Sequence, residues 1–136
     1  MKRLYEDRNI EIRLDSINKC IEYSWKDFVP SDEYIELLEK VYHYSIQHKC
    51  DKNLVDMRNM KVIPEDVLEW MQSNWLPRML QEGIKMFALI NTKSIIANMT
   101  VGKVVDGVRE IGSDLGLRNA FFDELEGART WIAKNS

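Results

Sequence analysis

A chain of 136 residues with 45% hydrophobic and 30% charged residues suits one soluble globular domain, 1–136, able to bury a core without disulfides or a structural metal. Its formal net charge of -3 and pI near 5.5 provide no general attraction to nucleic acid or anionic membranes. No apolar run approaches the ~20 residues that span a bilayer, Met1–Asn9 has no signal-peptide core, and Cys20 and Cys50 stand in no metal-binding spacing. The expectation is a cytoplasmic protein with reduced cysteines, no metal and no cofactor.

Along the chain, Arg3 to Glu6 is a candidate edge strand ahead of a turn at Asp7-Arg8-Asn9. Ile10, Ile12 and Leu14 alternate with Glu11, Arg13 and Asp15, a period of two that predicts a strand with one wet face. After a polar turn at Ser16–Lys19 the alternation returns as Ile21, Tyr23 and Trp25, which predicts an antiparallel hairpin. Pro30-Ser31-Asp32-Glu33 reads as a helix start, with Ser31 as cap and two acids at the positive end of the dipole. Tyr34, Leu37, Leu38, Val41 and Ser45 follow helical spacing, and the helix fades near His48-Lys49.

Asn53 to Asp56 lacks alternation and predicts a short buried strand. Pro64 opens the next helix, whose apolar face is Val67, Leu68, Met71 and Trp75. Pro77 removes a hydrogen bond and crowds the carbonyl of Ser73, so a kink or restart is expected before an end at Gly83. Met86–Ile90 is a continuous apolar run suited to a central parallel strand. Ile95–Ile111 reads as a helix in two pieces, weakened by Gly102 and Gly107. Asn119–Phe122 is a last strand, and Asp123 with Glu126 has capping-box spacing before a helix that buries Leu125, Ala128, Trp131 and Ile132. The sum is an α/β fold, a mixed sheet of about five strands and about four helices, with the hairpin towards one edge.

Chemistry concentrates at Asp56-Met57-Arg58-Asn59, where a strand ends before a helix and ligands commonly meet an α/β sheet. Asp56 and Arg58, two apart in an extended segment, point to the same side. Three readings stay open. The two bind a polar or anionic ligand, since guanidinium grips carboxylate or phosphate bidentately. They act as acid and electrophile in a small enzyme. Or they pair with each other and fix the turn, with Asn59 supplying turn hydrogen bonds.

His43 and His48, five apart, share no helix face. No G-x-S-x-G, P-loop or H-E-x-x-H occurs, and Gly102, Gly107, Gly112 and Gly116 fall within or after a helix rather than after a strand. Trp25, Trp70, Trp75 and Trp131 all fall on apolar faces, where core packing is the default. Trp75-Leu76-Pro77-Arg78-Met79 is the best candidate for an apolar groove, softened by Met71, Met79, Met86 and Met99. The candidate ligand- or partner-binding residues are Asp56, Arg58, Asn59, Trp75 and Arg78, with no catalytic residue named.

The hairpin ending in Trp25, the stretch Leu54-Val55-Asp56-Met57-Arg58-Asn59, Trp75-Leu76-Pro77-Arg78 and the closing Phe121-Phe122-Asp123-Glu124-Leu125-Glu126-Gly127-Ala128-Arg129-Thr130-Trp131-Ile132 together resemble the small bacterial SpoIIAA-like proteins of the STAS/Sec14-like group, over nearly the whole chain. The resemblance implies a non-catalytic, regulatory STAS-like domain that binds a partner protein or a small apolar or anionic ligand. A small enzyme using Asp56 and Arg58, or a homodimeric module, are the alternatives. STAS domains that antagonise anti-sigma factors carry a phosphorylated Ser or Thr just after a strand, in a D-x-S-G or D-x-T-x pattern. Here Arg58 stands at the hydroxyl's position and Asn59 at that of Gly, so no phosphorylation switch is expected there. Sec14-like relatives hold lipids in an apolar cavity, but this chain is shorter and lacks their additional helices.

Overall fold

The computed structural model of the protein describes residues 1–60, 62–92 and 116–135. Strands β1 (Lys2–Glu6), β2 (Ile10–Asp15) and β3 (Cys20–Trp25) form an antiparallel meander. Strands β4 (Lys52–Asp56), β5 (Met86–Ile90) and β6 (Arg118–Phe122) follow in parallel to β3. The sheet order is the chain order, β1 to β6. The described residues hold six strands rather than the expected five because the Arg3–Glu6 candidate pairs with β2, with a bulge between Arg3 and Tyr5. The helical elements are α1 (Ser31–Gln47), α2 (Glu65–Trp70), a π-helical turn (Met71–Trp75), α3 (Leu76–Gln81) and α4 (Leu125–Lys134). The helix expected over Ile95–Ile111 lies outside the described residues.

Strands laid down in sequential parallel order step in one direction, so crossovers of one hand place their helices on one face of the sheet. On that face Ile10 and Ile12 of β2, Ile21, Tyr23 and Trp25 of β3, Val55 of β4 and Phe87 and Leu89 of β5 meet Tyr34, Leu37, Leu38 and Val41 of α1, Val67 of α2 and Leu76, Met79 and Leu80 of α3. The intervening strand residues turn the other way. Cys20, Leu54, Ala88 and Ile90 pack against Ala128 and Ile132 of α4, with Phe122, Leu125 and Trp131 half-buried around them. The period of two along each strand therefore separates a large apolar core from a smaller one beneath α4.

On the α4 side the wet face expected from alternation is partly covered. Glu22, 1% exposed, accepts hydrogen bonds from Nε and Nη2 of Arg129, both at 3.0 Å, and from Arg13 Nε at 3.4 Å. Arg13 also donates to Ser24 Oγ and pairs with Glu11. A carboxylate this buried persists because it is bonded on both oxygens.

Two local expectations are corrected. Ser31 does not cap α1: it is the first helical residue, and its hydroxyl donates to Asp66 Oδ1 at 2.8 Å, tying the starts of α1 and α2 together. Asp123 and Glu126 form no capping box, because α4 begins one residue later, after Glu124, and Asp123 accepts from Asn91 instead. The disturbance expected at Pro77 is a restart: α3 begins at Leu76, with Pro77 in its first turn. The chain stays helical from Glu65 to Gln81, and the turn before Pro77 widens to π geometry, with Leu76 N–H donating to Met71 O. The wider turn accommodates a ring that would crowd the carbonyl four residues back in a regular helix. The stop at Gly83 is a complete Schellman motif: Gly83 N–H donates to Leu80 O, Ile84 N–H to Met79 O, and Gly83 has φ +89°.

Candidate functional site

The Asp56–Asn59 junction closes on itself. Arg58 donates to Asp56 from Nε (3.0 Å), from Nη2 (2.7 Å) and from its backbone N–H (3.1 Å). Met60 N–H returns to Met57 O, so Arg58 and exposed Asn59 occupy the corners of a tight turn. Thr92 Oγ1 donates to Met60 O at 2.6 Å, pinning that turn to the segment after β5. Burial pushes the Asp56 carboxyl up, but the Arg58 side-chain and backbone hydrogen bonds and its charge outweigh this and hold it below the usual carboxylate range. The hydrogen bond from Asp56, with its charge, raises Arg58 in turn. The pair is an ionised strut, and two nitrogens of the guanidinium are committed to it.

Arg78 belongs to a different place. It pairs with Glu39 of α1 through both Nη atoms and lies 4.6 Å over the Tyr42 ring, while its Nε has no partner among the described residues. It clasps α3 to α1. Cys20 and Cys50 are both free and buried, and burial pushes the Cys50 thiol up to about 11 and that of Cys20 higher still, away from the thiolate form that nucleophilic chemistry needs. Among the described residues no group of three or more His, Cys, Asp or Glu is placed to hold a metal ion. No described helix is long and apolar enough to cross a membrane.

Trp75 is where the sequence and an actual cavity meet. Between the sheet and the α1–α2 layer lies a partly open space of about 80 Å³. Its floor is Tyr23, Trp25, Val55, Phe87, Leu89 and Asn119 of the sheet, and its walls are Tyr34 and Leu38 of α1 with Leu68, Met71, Trp75 and Leu76 of the α2–π–α3 helix. Met57, Met60 and Ile63 of the β4–α2 connection close one end, and Leu117 borders it. Aromatic contacts stiffen this frame. Trp25 stacks on Tyr34 at 4.3 Å between centroids, Tyr23 meets Trp25 edge-on at 6.2 Å, and Trp75 leans on Phe87 at 6.4 Å. The Trp75 indole N–H is spent on Leu38 O at 2.8 Å. The π turn forms part of the wall, and such wide turns recur where helices border functional sites.

The five sequence candidates are thus not one site. Asp56 shares the sheet face of Leu54, and Arg58 also feels Glu124 at the start of α4. Trp75 lines the cavity on the opposite face, and Arg78 lies outside the lining. Of the methionines expected to soften a groove, Met71 lines the cavity, Met79 and Met86 are buried away from it, and Met99 lies outside the described residues. Sequence reasoning passed over Met57 and Met60, whose charged neighbours drew attention, and Tyr23, Tyr34, Phe87 and Asn119. Alternation did place Tyr23 with Trp25 on one face, the only available signal for the cavity floor. Compared with protein-family models, with curated proteins and with solved structures, the chain finds no match in any of the three.

Proposed function

We propose that the protein is a non-catalytic, STAS-like regulatory domain that binds a small apolar ligand in the cavity between its sheet and the α1–α2 layer. The observation that carries this reading is the cavity itself. Protein interiors pack to crystal density with few voids larger than a water molecule. An apolar occupant of this partly open space of about 80 Å³, lined almost wholly by apolar side chains, gains dispersion contacts and removes apolar surface from water. The resemblance to SpoIIAA-like proteins and the mixed sheet with its N-terminal antiparallel hairpin agree with this domain class. Asp56, held ionised by its own neighbour, suits a turn strut better than an acid that gives up a proton.

The test is a titration with cyclopentane, read on the methionine methyl resonances of ¹³C-labelled protein. Saturable shifts are expected at Met57, Met60 and Met71, which line the cavity, with Met79 and Met86 little changed. Val55→Phe, which puts a ring into the space from the sheet side, should abolish the shifts while keeping the fold. Unchanged methyls in the natural protein would refute the reading.

A further inference from the structure

We propose that the occupant this cavity selects is small and uncharged, apolar over most of its surface, with one hydrogen-bonding group placed against Asn119. The inference rests on the cavity being a ligand site and goes on to say what it takes. Size comes first. The partly open space of about 80 Å³ is roughly half the ~150 Å³ of an engineered apolar cavity that holds benzene. The part of the ligand that sits inside it is therefore small, on the scale of a four-carbon chain.

Charge comes second. None of the described lining residues is Asp, Glu, Lys, Arg or His. The charge pair closest in sequence, Asp56 with Arg58, is closed on itself and belongs to the α4 face of the sheet. A carboxylate or ammonium entering the cavity would lose water and find no counter-charge among the described residues, which disfavours fatty acids and amines as occupants.

Polarity comes third. The Trp75 indole is committed to Leu38 O, and the Tyr34 hydroxyl points at Met60 Sδ, 3.7 Å away. Tyr23 and Trp25 are each 2% exposed and locked in ring contacts. Besides the deeply buried hydroxyls of Tyr23 and Tyr34, Asn119, half-buried on β6, is the described lining side chain that offers a donor and an acceptor together, and its amide makes no hydrogen bond to a described residue. A hydroxyl or amide on the ligand satisfies it.

The experiment compares 1-butanol, butyrate, butylammonium and cyclopentane on ¹⁵N-labelled protein. The indole N–H signals of Trp25 and Trp75 report on the cavity, and that of Trp131, on the α4 side, serves as control. Butanol should move Trp25 and Trp75 saturably, with an affinity at least ~10-fold above those of butyrate and butylammonium. Asn119→Ala should weaken butanol about fivefold, the effect of one neutral hydrogen bond, and leave cyclopentane unchanged. An ion within tenfold of butanol overturns the proposal. So does a loss of less than twofold for butanol in Asn119→Ala, or an equal loss for cyclopentane. Should that variant not fold, the charge series on the natural protein decides alone. If cyclopentane binds and butanol does not, this inference falls and the ligand site stands. If no compound moves Trp25 or Trp75, both fall.

Discussion

Asp56 shows how one side chain's environment decides between a site and a strut. Its carboxyl is buried, which favours the neutral acid, yet three hydrogen bonds from Arg58 keep it ionised. A carboxyl whose folded pKa is depressed contributes stability above its unfolded value, near ~3.9, and loses it as pH falls through the folded value. Asp56→Asn should therefore cost about 1–2 kcal/mol near neutral pH, a range already reduced for the partial exposure of Arg58. Urea unfolding across pH should show the two proteins converging below about pH 4. A difference that stays constant into acid would mean that the pair contributes nothing through its charge. The acid, the cation and the amide of this junction were legible in the sequence. Their mutual closure was one of three readings left open, because two-residue spacing allows both an open anion grip and a bidentate pair, and the structure holds the pair. Met57 and Met60, interleaved with them, face the cavity, and no charge pattern points to a methionine.

Among the elements, those set by local rules were readable. The alternation of Ile10 to Leu14 and of Ile21 to Trp25 became β2 and β3 in antiparallel register, Ile10 opposite Trp25 and Leu14 opposite Ile21. The uninterrupted Met86–Ile90 became a strand buried on both faces, between β4 and β6. Gly83 became a Schellman stop because its positive φ is strained for any other residue. A Cβ there would meet nothing within 4 Å, so the cost of Gly83→Ala is purely conformational. Thermal or urea unfolding should show a loss of about 1 kcal/mol, with Gly83→Asn losing less; an unchanged Gly83→Ala would contradict the assignment. Helix caps were misread for a tertiary reason. Ser31 and Asp123 have cap chemistry, but Asp66 and Asn91 compete for them across space. The π turn was equally hidden. Pro77 signals a disturbance, and the packing of Trp75 under Leu38 O favours a widened turn over a break.

For the molecule as a whole, sidedness is the organising fact. Strands in chain order send α1, α2 and α3 to one face and leave the other to α4 and its ion pairs around Glu22. The apolar face holds the cavity, and the charged junction reinforces the opposite side of the same strand ends. A sequence reading joins Asp56 to Trp75 because both lie near the β4–α2 connection, whereas the pleat turns Val55 and Asp56 to opposite sides. Crystals of the natural protein under xenon pressure test this account most directly. The expected result is an anomalous peak enclosed by Met57, Met71, Trp75 and Phe87, with none beside Asp56 and Arg58. A cavity that stays empty, or xenon seated only beneath α4, would contradict it.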